Sequence, residues 1–448
     1  MCPGPRGAEQ TQKLMTDISL DRIAACGVVG AGGAGFPTHV KLDTQAECAI
    51  LNAAECEPLL HKDKELLRAY GQEVLSGLAA AMQLTRAQRG IVGIKGKYQD
   101  VIEQLTPILP PGVEIKTLSD SYPSGDEFIL VYDCLGRIIP PGGLPLDVGA
   151  VVLNVETALN VARGEGVTRK FLTVAGAVAT PVTIDVPVGV TFNECIALGG
   201  GSTADRPTAL VGGAMMGRLA TSLDDRVTKT TGGLIVLDES HPLIRRYRNE
   251  WPTIRRIGAA ACDQCSFCTE LCPRYLLGHP IEPHKAMRSL GFSLAGEANV
   301  AGTLYCCECN LCTMYSCPED LDPKNVCSQN KQRLMKDRPK TQPEANPNRA
   351  ALHLDNRRAP IQRLITKLGL TPFRNVGPLI GDTVEPSRVV LPLKQHVGAP
   401  AEPVVQVGGR VSVGDVVARP AEGKLGAVIH ASISGQIAAI DDSVTIQA

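Results

Sequence analysis

Eight of the sixteen cysteines stand in two tight runs. The first is Cys262-x2-Cys265-x2-Cys268-x3-Cys272-Pro273, and the second is Cys306-x2-Cys309-x2-Cys312-x4-Cys317-Pro318. Three thiolates spaced by two residues can cap three corners of an iron–sulfur cubane from one loop. A fourth Cys followed by Pro ligates the other cluster in two-cluster ferredoxin folds. The runs therefore predict two [4Fe–4S] clusters with crossed ligands. One takes Cys262, Cys265, Cys268 and Cys317; the other takes Cys306, Cys309, Cys312 and Cys272. Cys307 adjoins Cys306 and could compete with it; the x2 spacing favours Cys306, and the choice stays open. Structural zinc uses distant Cys pairs or matched His, and two triplets each followed by Cys-Pro do not have that form. His279 and His284 fall between the runs and are expected as surface or helix residues. The remaining cysteines, Cys2, Cys26, Cys48, Cys56, Cys134, Cys195 and Cys327, lack ligand spacing and are expected mostly as small buried hydrophobes.

A second chemistry-bearing segment is Gly30-Ala-Gly-Gly-Ala-Gly-Phe-Pro-Thr38. Residues with so little side chain let backbone N–H groups approach a flat or anionic ligand. The segment lacks the Gly-Lys-Ser/Thr ending of a Walker loop and does not follow a clear strand, as a dinucleotide fingerprint would. Lys41 follows it. Then come Asn52-Ala-Ala-Glu55-Cys-Glu57-Pro58, Tyr122-Pro-Ser-Gly125-Asp126-Glu127 and Asn154-Val-Glu-Thr157.

The elements that must carry these residues alternate. Residues 61–84 place Leu66, Leu67, Tyr70, Val74, Leu78 and Met82 at helical spacing. A strand is predicted at Gly90–Lys95, a helix at Tyr98–Leu109, a strand at Val113–Leu118, a buried strand over 150–153 and a helix after Asn154. This order predicts an α/β layer with a largely parallel sheet. Residues 168–237 alternate apolar and polar residues between Gly and Pro turns, which suits a mixed module with a short helix near 192–198. The tail, rich in alternating Val and in Gly turns, reads as all-β.

Composition removes several classes. The 448 residues are 44% apolar and 20% charged, an ordinary globular mixture with a length prior of about three domains. A net charge of −1 lacks the basic excess of a nucleic-acid binder. Aromatics at 4% leave few base-stacking platforms. No stretch approaches the roughly 18 to 20 apolar residues that span a bilayer. Residues 1–17 lack the apolar core of a secretory signal. The chain reads as cytoplasmic, where thiols stay reduced and clustered cysteines argue for metal.

Taken together, the glycine-rich loop and its companions resemble the NADH-binding flavoprotein subunit of respiratory complex I and its relative RnfC. The resemblance implies FMN and NADH sites at Gly30, Gly32, Gly33, Gly35, Phe36, Lys41, Asn52, Glu55, Glu57, Tyr122, Gly125, Glu127, Asn154 and Thr157. Ala54 and Leu153 stand where the complex I pattern has Asp and Asn. Gly212-Gly-Ala-Met-Met-Gly217 resembles the SLBB β-grasp unit of the same family, with its Met pair read as core packing.

The implied fold is multidomain α/β. It comprises a disordered N-terminus (1–17), an FMN/NADH-binding α/β domain (18–165) and an SLBB-like β-grasp module (166–240). A two-[4Fe–4S] ferredoxin-like domain (250–334), a linker (335–383) and an all-β barrel-sandwich hybrid (384–448) follow. In RnfC the sandwich precedes the flavoprotein domain; here it is C-terminal, an order that resembles the cobalamin reductases of diol-utilising bacterial microcompartments. That branch implies an oxidoreductase passing electrons from NADH to FMN, to the two clusters and to cobalamin. Its implied partners are a cobalamin adenosyltransferase and microcompartment shell proteins, with no nucleic acid and no transmembrane segment. No acid–base dyad is nominated as catalytic. The other readings are a peripheral RnfC-like component of a membrane ferredoxin:NAD oxidoreductase, and a zinc-stabilised scaffold.

Overall fold

The computed structural model describes residues 18–292, 297–337 and 349–448; the expected disordered stretch 1–17, with Cys2, lies outside the described residues. The first unit is a parallel sheet. Its strands lie side by side in the order Val113–Leu118, Arg89–Lys95, Cys48–Ala53, Ala150–Asn154. The central strands are apolar on both faces because both faces are covered. Leu51, Val92 and Leu153 pack under the helices Lys62–Thr85 and Val155–Arg163. Ile50, Ile91 and Val152 pack on the other side against Leu130 and Val131 of the helix Glu127–Leu135.

Strand order reverses between Cys48–Ala53 and Ala150–Asn154, because the chain first builds outward on one side and then returns to the other. Such a switch point leaves a crevice beyond the carboxyl ends of the two strands, where open α/β sheets bind ligands. Those ends here are Asn52 and Asn154, paired in register.

The β-grasp unit is a five-stranded sheet in the order Val182–Pro187, Arg169–Gly176, Gly233–Asp238, Pro207–Val211, Arg218–Leu219. Its helix Phe192–Leu198 starts with a reciprocal capping box between Thr191 and Glu194. Met215 is core, as expected, but Met216 is 54% exposed, so only one of the pair packs inside. The reason is local: consecutive residues of one tight loop point to opposite sides.

The cysteine-rich unit is a set of short helices around Ile254, Ala286, Met287, Leu321 and Val326. The C-terminal unit stacks a four-stranded and a three-stranded sheet. Its core residues Val389, Leu391, Val417 and Val444 join Val186, Val188 and Val227 of the β-grasp unit in one apolar cluster.

The expected linker 335–383 needs correction. The helix Pro323–Asp337 runs into it, Ala359–Pro360 pairs with Ser121–Tyr122, and the helix Ile361–Lys367 buries Ile361, Leu364 and Ile365. Prolines and polar residues dominate 335–350, but Ile361, Leu364, Ile365 and Leu368 form a helical apolar stripe that demands a partner. His279 is likewise not a surface residue. It is buried, its Nε2 lies 2.9 Å from the Ile139 carbonyl, and its ring meets Phe128 edge-on.

Candidate functional site

The glycine-rich loop folds back over the switch-point crevice. Its Ala31 N–H donates to Thr157 Oγ1 at 2.9 Å, and the Asn154 side chain lies against Gly32. Asn154 also caps the helix that follows it, its Oδ1 accepting from Glu156 N. Gly35, at φ +75°, is wedged between Thr230 and His396, so a Cβ there would stand 2.6 to 2.7 Å from both side chains. Between these anchors Gly32, Gly33 and Ala34 are exposed, and Phe36 is 40% exposed. Among the described residues the N–H groups of Gly32, Gly33 and Ala34 have no backbone acceptor, which suits that edge to an anionic ligand.

Two charged residues meet at the same place. Lys41, on the helix Thr38–Leu42, pairs with Glu127 at 2.9 Å. Asn52 Nδ2 donates to the Gly125 carbonyl at 2.8 Å, tying the strand end to the 122–127 segment. The structure thus gathers Gly30, Gly32, Gly33, Gly35, Phe36, Lys41, Asn52, Gly125, Glu127, Asn154 and Thr157 around one crevice. It turns three other candidates elsewhere. Glu55 accepts from Asp63 N at 2.8 Å and Lys64 N at 3.3 Å, capping the long helix. Burial, with Asp63 beside it, pushes the Glu55 carboxyl up to about 7. Glu57 faces the β-grasp loop, and Tyr122 is buried with its hydroxyl on the Cys309 carbonyl at 2.6 Å.

Behind the loop lies a charge network that sequence reasoning did not single out. Lys62 Nζ reaches Glu156 at 2.8 Å and Asp63 at 3.2 Å. Lys170 Nζ donates to Glu156 and, at 3.2 Å, to the Ala31 carbonyl. Asp63 accepts from Asn154 Nδ2 at 2.9 Å. Two cations and two carboxylates offset one another and fix both the glycine loop and Asn154. Burial lowers Lys170 to about 8 against the pull of Glu156. Burial alone would raise Glu156, but Lys170 and Lys62 outweigh it and hold the carboxyl low. The available signal was Glu156 itself, a charge within a segment already singled out.

The thiols form two groups. Cys262, Cys265, Cys268 and Cys317 line one cavity, the crossed combination expected from the spacing. Burial, then the neighbouring Cys317, Cys262 and Cys265, pushes the Cys268 thiol up to about 12. Cys272, Cys309 and Cys312 form the second group with Cys306 and Cys307; burial raises Cys272 and Cys312, and in both the neighbouring thiols add to it. Among the described residues no three His, Cys, Asp or Glu side chains approach closely enough to share a single ion. Each set supplies thiols and no carboxylate or imidazole, the donor chemistry of a [4Fe–4S] cluster.

The two loops repeat one backbone. Gln264 and Ser266 flank Cys265 at φ +64° and +63°, and Glu308 and Asn310 flank Cys309 at φ +57° and +65°. This equivalence sets Cys306 opposite Cys262 and Cys307 opposite Asp263. Cys306 Sγ also accepts from Glu308 N at 3.4 Å. Its thiol meets that of Cys327, a residue without ligand spacing, while Cys307 meets Cys309.

The two sites are fastened together. Arg274, two residues after Cys272, forms a bidentate pair with Asp126, with both side chains under 10% exposed. Its guanidinium lies 3.7 Å above the Phe128 ring.

Comparison with known proteins follows the same divisions. The Nuo51 FMN-binding domain model matches residues 23–163, and the SLBB domain model matches 171–219. The 4Fe-4S dicluster domain model matches 261–322, and the RnfC barrel sandwich hybrid domain model matches 378–448. The chain therefore carries an FMN-binding domain and a 4Fe-4S dicluster domain. It is 44% identical over 434 residues to cobalamin reductase PduS of Salmonella typhimurium, covering 96% of each chain. It is 34% identical to one component of the Na(+)-translocating ferredoxin:NAD(+) oxidoreductase complex of Acetobacterium woodii, covering 58% of this chain and 60% of that one. In fold it is similar to a chain of an NAD+-reducing [NiFe]-hydrogenase (TM-score 0.50, 21% identity), covering 73% of this chain and 65% of that chain.

Proposed function

The chain belongs to the PduS family of cobalamin reductases, and from that premise we propose that it carries electrons from NADH to a corrinoid. The observation that carries the reading is the Tyr122–Cys309 hydrogen bond of 2.6 Å, which joins the nucleotide-side segment to the second cysteine loop. Both halves of an electron path are thereby in contact. End-to-end similarity to the cobalamin reductase, against a partial match to the component of the membrane complex, favours cobalamin over a membrane pump as the destination.

When bound, FMN takes two electrons as hydride and releases them singly to one-electron carriers, the role of the two [4Fe–4S] clusters. The chain's own residues do the positioning. Backbone N–H groups of Gly32, Gly33 and Ala34 receive phosphate, and Lys41 adds a cation beside them. Asn52 and Asn154 orient the flavin from the two strand ends. Glu127 receives hydroxyl or amide groups of the dinucleotide. Cys262, Cys265, Cys268 and Cys317 hold one cluster, and Cys272, Cys306, Cys309 and Cys312 the other.

Adenosyltransferase and shell proteins of a microcompartment are the proposed partners, and its interior the proposed location. Among the described residues no helix is long and apolar enough to cross a membrane. The test is anaerobic reconstitution with iron, sulfide and FMN, then NADH with cob(II)alamin. NADH-dependent loss of the cob(II)alamin spectrum is expected. A reconstituted protein that binds no flavin, or that reduces no corrinoid, overturns the reading. Pull-down separates the partner sets: shell proteins and adenosyltransferase for this reading, integral membrane proteins for the other.

A further inference from the structure

Glu57 follows the strand end that carries Asn52, yet its side chain leaves the crevice. Its carboxylate accepts from Met215 N and Met216 N, each at 2.9 Å, and the Ala214 N–H adds a third bond. Successive N–H groups converging on one half-buried carboxylate form an anion nest, and bonds to a charged acceptor are the strong ones. The loop is shaped for this contact. Gly213 has φ +139°, and a Cβ on it would stand 2.4 Å from the Glu57 carboxyl carbon.

The far side of the same loop reaches the second cysteine run. The Met215 carbonyl accepts from Asn310 Nδ2 at 3.1 Å and from the Tyr247 hydroxyl at 3.1 Å. Asn310 lies between Cys309 and Cys312, and its left-handed backbone, φ +65°, is part of the turn that aims both thiols. The Glu57 carboxylate, the 214–216 backbone and the Asn310 amide thus make one continuous chain. It begins five residues after Asn52 and ends on a cluster loop.

We infer that Glu57 is a positioning residue: through the β-grasp loop it fixes the second cluster's cysteine loop against the flavin-side strand end. This gives the β-grasp module a task, as the spacer between donor and acceptor. It also reassigns Glu57 from nucleotide contact to fastener. Electron transfer between packed cofactors falls steeply with separation, and outer hydrogen bonds tune the metal group they support. Loosening the fastener therefore slows one step and leaves the others intact. The inference rests on electrons passing from flavin to clusters, as proposed above.

The experiment compares wild type, Glu57→Ala, Asn310→Gly and the double variant as holoproteins. Glycine at 310 keeps the left-handed turn and removes only the amide. Expected are unchanged FMN and iron content, an unchanged rate of flavin reduction by NADH, and flavin-to-cluster transfer slowed at least tenfold. In the dithionite-reduced protein the EPR signal of the second cluster should change. Amide exchange should rise in 213–217 and 306–312. Asn310→Gly should do the same from the other end, and the double variant should be no slower than the slower single. The inference is overturned if Glu57→Ala loses flavin or slows NADH oxidation with flavin-to-cluster transfer intact, which would make Glu57 a nucleotide contact. Unchanged EPR and exchange in both single variants also overturn it. If NADH fails to reduce even the wild-type flavin, the functional reading fails. The dithionite spectrum and the exchange data then still decide the fastener.

Discussion

The two cysteine loops share a backbone and differ in what surrounds them. In the first loop the partners are mostly local, apart from Arg357 on Glu270 at 2.9 Å. Cys265 N donates to Asp263 at 3.3 Å, Arg288 reaches Gln264, and Ser266 Oγ reaches Glu270 at 3.4 Å. Cys262 and Cys265 are only half-buried, and Phe267 is 44% exposed. In the second loop Cys309 and Cys312 are buried, and the partners come from other units: Tyr122, Met215 and, through Cys272-Pro273, the Arg274–Asp126 pair. One motif has thus been set once against solvent and once against the flavin side. On the proposed electron path this makes the second loop the entrance and the first the exit.

The largest expected effects break that asymmetry at its ligands. Cys265→Ser and Cys309→Ser should each lower iron from about eight to about four atoms per chain. The consequences should differ. In Cys265→Ser, NADH still reduces the remaining cluster and corrinoid reduction stops. In Cys309→Ser, NADH reduces flavin only. Identical behaviour of the two in anaerobic stopped-flow would sink the entrance-and-exit assignment.

Next comes register. If the loops are equivalent, Cys306→Ser loses the second cluster and Cys307→Ser keeps it. EPR of the two reduced proteins decides, and the reverse outcome would shift the ligand by one residue.

The pair beside Cys272, the thiol that the first run lends to the second cluster, should also be costly to break. Arg274→Met leaves the Asp126 carboxylate buried without its cation, a loss of about 3 to 5 kcal/mol. Thermal unfolding should show it, whereas Arg288→Met at the first loop, an exposed contact to neutral Gln264, should leave the melting temperature nearly unchanged.

How much of this could be read beforehand follows from where the information is held. Ligand spacing is local and is written in the chain, so the two cysteine runs, and the grouping of Cys317 with Cys262, Cys265 and Cys268 around one cavity, were legible. The glycine loop and its companions were legible through resemblance, and most of them do meet in one crevice. The contacts of Glu57 and Tyr122 were not legible. Their neighbours, Met215 and Cys309, are 158 and 187 residues away, and no periodicity reports such contacts. Lys170 escaped for a related reason. A lysine in a strand reads as solvent-facing until a carboxylate such as Glu156 is seen beneath it. The helix Ile361–Lys367 was hidden by the proline-rich stretch before it.

A smaller effect concerns the crevice that feeds the entrance. A hydrogen bond to a charged group contributes about 1.5 to 3 kcal/mol, so Glu127→Ala should raise the KM for NADH roughly tenfold to a hundredfold. FMN content and dithionite-driven corrinoid reduction should persist. Lys41→Ala should instead lower FMN occupancy, read from the flavin absorbance per chain. A KM for NADH unaltered in Glu127→Ala would remove the dinucleotide role from that carboxylate.

The smallest effect is a pH dependence on the entrance side. Burial pushes the Glu57 carboxyl up to about 7, even though the Met215, Met216 and Ala214 N–H groups pull it down. In the unfolded chain its ordinary value is 4.5. The folded protein therefore holds this proton more tightly between those two values, and stability is lost as pH rises through that window. Buried histidines act the other way. Burial lowers His61 to about 3 and His279 to about 4, so their contribution falls as pH drops below their ordinary value of 6.5. The net slope of the wild type mixes both, so the glutamate is read as a difference. Relative to Glu57→Gln, the wild type should lose stability as pH rises from about 4.5 to about 7 and run parallel to the variant above that. Melting curves of the two holoproteins at half-unit pH steps provide the check. A flat difference for Glu57→Gln would mean that the three N–H groups already hold the carboxylate ionised throughout.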